Sequence, residues 1–220
     1  MVETQEKFWS EIAPAKYEQA IDAQLGHNTR ALICEKLSSE GRLGRAVEFG
    51  CGTGCMTKVL AGKADSLVAT DVADGMVQTA KKNVNGYNNI QYQVANCEKT
   101  TFPDMAFDAA FMGLVIHFTD ADKTLAEMKR ILKPDGVLII ANLDPRLKAP
   151  YSLIGVLRVM YHSLMNYHRT IPAAPNLMTG SRLSEKLEKA GFKVVSMDVL
   201  RDTGKASNFP VDYIKAIKIL

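Results

Sequence analysis

The sequence predicts an α/β fold in which a mostly parallel sheet carries helices on both faces. Short apolar runs of strand length alternate with segments of helical spacing, which is the pattern of repeated strand–helix units. The first strand, 45–50, runs directly into a turn with glycine at alternate positions and then into a helix that ends near Gly62. The chain has 220 residues, which is enough for one domain of this class.

The composition is ordinary for a globular protein, with 47% hydrophobic and 23% charged residues. The charge is unevenly spread, because residues 1–144 hold 15 Lys and Arg against 19 Asp and Glu, whereas residues 145–220 hold 12 against 5. The window from Pro145 to Ser184 has no acid and five cations, namely Arg146, Lys148, Arg158, Arg169 and Arg182. Such a window suits either a solvated face or a cap that favours an anionic or electron-rich ligand.

The four cysteines form no C-x-x-C pair, so we expect neither a zinc site nor a disulfide framework, and no metal. No N-terminal run combines a basic start with an apolar core, and no apolar run is long enough to span a bilayer. These features predict a cytoplasmic protein without a transmembrane segment.

The turn after the first strand reads Gly-Cys-Gly-Thr-Gly over residues 50–54 and is preceded by Glu48. Glycine is needed where the backbone takes a positive φ or comes close to a ligand, and the N–H groups of the following helix then face that ligand. A buried Glu48 requires a cationic or hydrogen-bonding partner. The spacing is G-x-G-x-G rather than the dinucleotide pattern G-x-G-x-x-G, which disfavours an NAD-dependent enzyme.

A second predicted strand, 66–70, ends at Asp71, which lies 21 positions after Gly50. An acid at roughly this offset, about 20 residues, can accept hydrogen bonds from both ribose hydroxyls of a nucleoside. The alternative role is to cap the next helix, but Asp74 is better placed to cap a helix over Gly75–Val84. We therefore interpret Asp71 as a ribose ligand.

Three stretches resemble class I S-adenosylmethionine-dependent methyltransferases, in particular the type 11 and quinone-biosynthesis-like group that acts on small molecules. Residues 47–54, Val-Glu-Phe-Gly-Cys-Gly-Thr-Gly, are similar to the first motif of that family. Residues 130–140, Arg-Ile-Leu-Lys-Pro-Asp-Gly-Val-Leu-Ile-Ile, are similar to a second signature, in whose turn Gly136 is expected to take a positive φ. Residues 96–108 follow a third pattern, except that Asn96 stands where the family has Asp.

The resemblance implies a Rossmann-like, seven-stranded sheet in the order 3-2-1-4-5-7-6, with strand seven antiparallel. It also implies that S-adenosylmethionine binds across the carboxyl ends of strands one to four and leaves as S-adenosylhomocysteine. Glu48 would hold the ammonium group of the cofactor, Asp71 its ribose, and Asn96 and Cys97 its adenine. The predicted cofactor-binding residues are Glu48, Gly50, Cys51, Gly52, Gly54, Asp71, Val72, Met76, Asn96, Cys97, Glu98 and Met112.

The resemblance also places His117 near the reactive end of the cofactor, where it is a candidate catalytic base. A core position is the alternative for His117, and packing is the alternative for aromatic residues of the N-terminal helices. The candidate acceptor-binding residues are Trp9, Tyr17, His117, Tyr151, Tyr161 and His168.

We expect a single domain over residues 1–220, made of four parts. These are an N-terminal helical cap (1–40), a cofactor-binding core (41–145), a helical lid insertion (146–180), and a C-terminal helix with antiparallel strands (181–220).

The function implied by the resemblance is methyl transfer to a small-molecule acceptor, anionic or aromatic, by a monomer or homodimer. An RNA methyltransferase is one alternative, which the basic C-terminal part allows. The sequence shows neither an appended RNA-binding module nor an N-P-P-Y motif that would support this alternative. Nucleic acid is therefore not the expected partner. A non-catalytic cofactor-binding protein is a second alternative. The residues themselves leave the acceptor open.

Overall fold

The structure is a computed structural model that describes residues 9–10, 28–146, 176–201 and 210–219. Within these ranges seven strands form one sheet in the order β3-β2-β1-β4-β5-β7-β6, as the resemblance predicts. The strands are β1 Gly44–Phe49, β2 Ala64–Asp71, β3 Ile90–Val94, β4 Phe107–Gly113, β5 Leu132–Leu143, β6 Phe192–Leu200 and β7 Val211–Lys218. All neighbouring pairs from β3 to β5 are parallel, and β7 runs antiparallel to both of its neighbours.

Helices cover both faces of this sheet, because the central strands are apolar on both sides. On β1, Val47 and Phe49 belong to one buried cluster and Ala46 to the other, which is the pattern of a parallel strand covered on both faces. The α-helices in the described ranges are α1 Thr29–Ser38, α2 Cys55–Ala61, α3 Asp74–Asn83, α4 Ala121–Ile131 and α5 Gly180–Lys189, and a short 3-10 helix spans Ile116–Phe118. Helices α1 and α2 contribute to the cluster of Ala46, and α4 and α5 to that of Val47.

Two details of the predicted turns are wrong. Asp74 is the first residue of α3 rather than its cap, and its carboxylate accepts a hydrogen bond from Gln78 Nε2 instead (3.2 Å). In the turn before the main part of β5, the positive φ belongs to Asp135 (61°) and not to Gly136. Glycine is required at 136 for space, because a Cβ there would lie 2.8 Å from the Lys133 carbonyl oxygen.

Candidate active site

The turn that follows β1 depends on its three glycines. Gly50, Gly52 and Gly54 have φ angles of 75°, 52° and 94°, which lie in the left-handed region that other residues avoid. At Gly50 a Cβ would also lie 2.1 Å from Val115 Cγ2, far inside van der Waals contact. The sequence of the turn is thus set by backbone conformation and by the close approach of the segment after β4.

Asp71, at the end of β2, connects this turn to the neighbouring strand. Its Oδ2 accepts a hydrogen bond from the Gly52 N–H at 3.0 Å, and its Oδ1 accepts one from the Ala73 N–H at 3.1 Å. The side chain is buried, and burial raises the pKa of the Asp71 carboxyl, while the backbone hydrogen bonds oppose the shift. A carboxylate has about four acceptor positions, so the backbone N–H groups leave part of this capacity for a ligand.

Glu48 lies one strand away and is 1% exposed. The hydrogen-bonding partner that its burial requires is Thr57 on α2, whose Oγ1 donates to Glu48 Oε2 at 2.6 Å. Burial raises the pKa of Glu48 to about 8, even though the bond from Thr57 acts in the opposite direction. In this structure Glu48 is therefore predominantly protonated at neutral pH.

The loop after β3 carries a second group of polar residues. Asn96 Oδ1 accepts a hydrogen bond from the Glu98 N–H at 2.9 Å, and Glu98 Oε1 accepts one from the Asp120 N–H at 2.8 Å. Cys97, between them, is buried in the core, and burial raises the pKa of its thiol to about 12. This thiol stays protonated, which agrees with a packing role rather than a nucleophilic one.

Charged residues of α4 form hydrogen bonds with the chain that continues from this loop. Glu127 Oε1 accepts hydrogen bonds from Thr100 N (2.7 Å) and Thr100 Oγ1 (2.6 Å). Arg130 binds Glu127 through Nε (2.9 Å) and donates to the Phe102 carbonyl oxygen (2.8 Å). Burial alone would raise the pKa of Glu127, but the hydrogen bonds from Arg130 and Thr100 outweigh it and lower the pKa to about 2.

These pieces meet around a cavity of about 130 Å³ at the carboxyl ends of the central strands, where open parallel sheets bind ligands. It is lined by eight of the twelve predicted cofactor-binding residues, namely Gly50, Gly52, Asp71, Val72, Met76, Asn96, Cys97 and Glu98. Trp9, a predicted acceptor-binding residue, lines it as well. A glycine turn, a carboxylate and an amide therefore share one concave wall.

Comparison with known proteins supports one family. Residues 47–140 match the family described as "Methyltransferase domain". The chain is 28% identical to a demethylmenaquinone methyltransferase from Lactobacillus johnsonii over 68% of each chain. It is 27% identical to the O-methyltransferase rstn1 of Aspergillus nomiae, over 87% of this chain and 83% of that one. These similarities support a class I S-adenosylmethionine-dependent methyltransferase.

Solved structures agree on the fold of this methyltransferase. A chain from the complex between the Haloferax volcanii Trm112 methyltransferase activator and a methyltransferase matches with a TM-score of 0.72, at 16% identity. That match covers 100% of this chain and 98% of the other. The chain spans less than half the length of three further curated relatives that it matches, so whole-protein activities do not carry over from them.

The methyltransferase uses S-adenosylmethionine and releases S-adenosylhomocysteine. The residues present fit this cofactor. The Gly50 position has no room for a side chain, and the wall offers the acceptor oxygens of Asp71 and Asn96 to the hydroxyl and amino donors of a nucleoside. Among the residues that the structure describes, no group of His, Cys, Asp and Glu could hold a metal ion.

Four predicted cofactor-binding residues do not line the cavity of the methyltransferase: Glu48, Cys51, Gly54 and Met112. Cys51 and Met112 are buried in apolar clusters. Gly54 is the N-terminal cap of α2, where a Cβ would lie 2.6 Å from Val84 Cγ2. The structure thus places these residues behind the cavity wall, where they shape it through packing.

His117 also lies behind the wall, at the core position that was the alternative to its candidate pocket role. It is 4% exposed and does not line the cavity, whereas its neighbour Phe118 does. Burial lowers the pKa of the imidazole to about 4, and Nδ1 has no hydrogen-bond partner among the residues that the structure describes. His117 is therefore neutral at physiological pH.

Sequence reasoning missed most of the wall that follows β4. The lining residues not predicted are Phe49, Ala95, Gly113, Leu114, Val115, Phe118 and Thr119. Leu114 has a φ of 59°, which is unfavourable for a residue with a side chain and leaves no trace in the sequence. The available signal was positional, because ligands bind beyond the carboxyl ends of parallel strands.

Most of the remaining candidate residues lie in parts of the chain that the structure does not describe. Tyr17, Tyr151, Tyr161 and His168 lie outside the described residues, as does most of the predicted lid at 146–180. At the end of that segment, Asn176 Nδ2 donates a hydrogen bond to the Thr119 carbonyl oxygen (2.7 Å). The backbone N–H of Asn176 donates to the His117 carbonyl oxygen (3.1 Å). Of the described helices, none is both long and apolar enough to cross a membrane.

Of the five cations in the basic window, Arg146 forms an ion pair with the buried Asp144, and Arg182 is exposed on α5. Lys148, Arg158 and Arg169 lie outside the described residues.

Proposed function

We propose that this methyltransferase acts on a small, electron-rich aromatic acceptor of the quinol or phenol type. The observation that carries the proposal is the apolar end of the cavity, where Leu114, Val115 and Phe118 line the wall. The Trp9 ring meets Phe118 edge-on, with ring centroids 5.8 Å apart. Flat aromatic molecules bind such surfaces through burial and ring contacts.

The charges of the wall support an acceptor without a strong negative charge. Among the described lining residues there is no Lys or Arg, and the ionisable carboxyl groups are those of Asp71 and Glu98. An anionic acceptor would therefore lack a counter-charge in this part of the cavity. The name of the Lactobacillus johnsonii relative, which refers to demethylmenaquinone, supports a ring acceptor, and that of the Aspergillus nomiae relative leaves O-methylation open.

We assign the polar end of the cavity to the cofactor. Asp71 accepts from the ribose hydroxyls with the positions that Gly52 and Ala73 do not use, and Asn96 accepts from the adenine amino group. The glycine turn receives the amino acid end. Glu48, behind the turn, ionises when the ammonium group approaches, because a nearby cation favours the charged carboxylate.

The work of this chain in the reaction is alignment and the exclusion of water. S-adenosylmethionine supplies an electrophilic methyl group on a sulfonium, and its transfer leaves a neutral thioether. The apolar wall holds the acceptor ring and keeps water from the reacting atoms. The described lining residues include no His, Lys or Tyr. Among the described lining residues, the groups that can take a proton from the acceptor are therefore the carboxylates of Asp71 and Glu98.

The test is methyl transfer from methyl-labelled S-adenosylmethionine to three separate acceptor pools: reduced naphthoquinones, simple phenols, and total RNA. We expect label on a quinol or a phenol and none on RNA. Label on RNA alone would replace the proposal with the RNA methyltransferase alternative. No transfer to any pool by a protein that binds S-adenosylhomocysteine would contradict the proposed acceptor class.

The Phe118→Ala variant tests the apolar end separately. Loss of the ring should raise KM for the aromatic acceptor about tenfold, on the scale of roughly 1–1.5 kcal/mol for an aromatic contact. Affinity for S-adenosylhomocysteine should change little. Phe102→Ala is the matched control, since Phe102 packs on the core but does not line the cavity.

A further inference from the structure

Two cysteines from different parts of the chain meet beside the cofactor turn. Cys34 lies in the middle of α1, and Cys55 is the first residue of α2, directly after Gly54. Their Sγ atoms are 3.6 Å apart, and Cys34 Sγ also lies 3.8 Å from the Cys55 carbonyl oxygen. This separation is beyond bonding distance, so both residues carry thiols in the structure.

The two thiols differ in their access to solvent. Cys55 is exposed and Cys34 is half-buried, whereas Cys51 and Cys97 are buried. The pKa of Cys34 is raised, first by the hydrogen bond with Cys55 and then by burial. Cys55 is therefore the thiol that an oxidant from solution reaches, and Cys34 lies close enough to react with the oxidised Cys55.

We propose that Cys34 and Cys55 form a reversible disulfide under a hydroperoxide oxidant and that this bond lowers the affinity for the cofactor. A disulfide requires an S–S distance of about 2.05 Å, so the sulfur atoms have to approach each other by roughly 1.5 Å. Closing this gap requires side-chain rotation at Cys34 and Cys55 and, for the proposed effect on the cofactor, a displacement of Cys55 at the start of α2.

The chemistry balances in two steps. The Cys55 thiol loses its proton, the thiolate attacks one oxygen of the hydroperoxide, and the O–O bond breaks. Cys55 becomes a sulfenic acid and, for hydrogen peroxide, the leaving hydroxide takes up the proton of the thiol to give water. The Cys34 sulfur then attacks the sulfenic sulfur, the S–O bond breaks, and a second water leaves with the Cys34 proton. Two thiols are oxidised by two electrons, and one peroxide is reduced.

The effect on the cofactor follows from the position of Cys55. Gly54 has a φ of 94° and packs closely on the end of α3, since a Cβ there would lie 3.2 Å from Ala80 Cα and 2.6 Å from Cγ2 of Val84, the residue after that helix. A pull on Cys55 toward α1 therefore acts on a turn that has little room to adjust. Gly52, two residues before Gly54, lines the cavity and is bonded to Asp71, so the displacement reaches the ligand-binding wall.

The first experiment asks whether the bond forms. The reduced full chain is treated with hydrogen peroxide, the remaining thiols are alkylated, and peptides are analysed by mass spectrometry without reductant. We expect a cross-linked peptide pair containing Cys34 and Cys55 that disappears after dithiothreitol. A chain that stays folded, as judged by its thermal unfolding, and yields no such pair would overturn the proposal.

The second experiment asks whether the bond matters for binding. Calorimetry with S-adenosylhomocysteine should show about fivefold weaker binding or more after oxidation, the lower end of usual coupling between two sites, with recovery in dithiothreitol. The Cys34→Ser variant, and Cys34→Ala if the first folds poorly, should keep the reduced-state affinity after the same treatment. An unchanged affinity of the cross-linked chain, or an equal loss in the Cys34 variants, would overturn the regulatory role. Neither measurement involves the methyl acceptor, so both are independent of the proposed substrate.

Discussion

The Asp71 carboxylate accepts a hydrogen bond from the Gly52 N–H at 3.0 Å, so the acid at the end of β2 fastens the turn at the end of β1. A second bond, from the Ala73 N–H, anchors the same carboxylate to the start of α3. Asp71 therefore has a structural role beside its proposed role as a ribose ligand. The residue also holds the glycine turn in the shape that the cavity requires.

Replacing Asp71 by Ala should weaken binding of S-adenosylhomocysteine by about 1.5–3 kcal/mol, the usual scale for hydrogen bonds to a charged group. Isothermal calorimetry measures this change. Asp74→Ala is the matched control, because Asp74 is an exposed acid three positions later that does not line the cavity. Equal affinities of the two folded variants would remove Asp71 from the binding site.

Gly50→Ala should destabilise the protein by about 2–5 kcal/mol, the sum of a left-handed backbone penalty and an overpacked contact with Val115. Gly86→Ala provides the control, since Gly86 has a similar φ of 86° but nothing within 4 Å of the added Cβ. Its cost should be only about 1–2 kcal/mol. Urea unfolding measures both variants, and similar losses would show that contact with Val115 is unimportant.

Glu48 should make the cofactor-free protein less stable as the pH rises. Its pKa is raised to about 8 in the folded chain, above the ordinary value of 4.5, so the folded state binds a proton that the unfolded state releases. The resulting stability is complete below pH 4.5 and is lost as the pH rises through 8, by at most about 1.4 kcal/mol per pH unit.

Glu48→Gln isolates this contribution, because the amide has a similar shape and does not titrate. The unfolding free energy of wild type minus that of the variant should be smaller at pH 8 than at pH 5. A difference that does not change with pH would contradict the raised pKa of Glu48.

His117 should remain neutral until the pH falls well below 6.5. Burial lowers its pKa to about 4, so the stability associated with neutral His117 is present above pH 6.5 and is lost as the pH falls through 4. Two-dimensional NMR of the imidazole groups follows this titration, with His117→Gln to assign the signal. A midpoint near 6.5 would show that His117 is solvated and restore it as a candidate base.

Much of the site could be predicted from local patterns. The offset between Gly50 and Asp71 placed both residues at the ends of adjacent strands, and the structure joins the turn and the acid by a hydrogen bond. This works because a strand, a tight turn and a helix have nearly fixed lengths, so sequence spacing translates directly into position. The strand order came from the resemblance to a known family, since strand periodicity alone does not specify which strands are neighbours.

How deeply a side chain is buried, and whether it faces the cavity, could not be predicted in the same way. Glu48 and His117 occupy motif positions that suggest ligand contact, yet both are buried behind the wall. Glu48 is bonded to Thr57, and His117 Nδ1 has no partner within the described part of the chain. The difference depends on how helices pack over the strand ends, which involves residues remote in sequence. For the same reason, nothing in the patterns pairs Cys34 with Cys55 across α1 and α2.

The sequence by itself determined the α/β class, the glycine turn and the positions of the polar residues at the strand ends, because these follow from short-range periodicity and backbone sterics. Only the tertiary structure decided which of those residues face the cavity. It also created the apolar end near Phe118 and the left-handed Leu114, since both depend on the contacts of the segment after β4 with distant parts of the chain. Local spacing specifies where a residue stands, and long-range packing specifies what its side chain can reach.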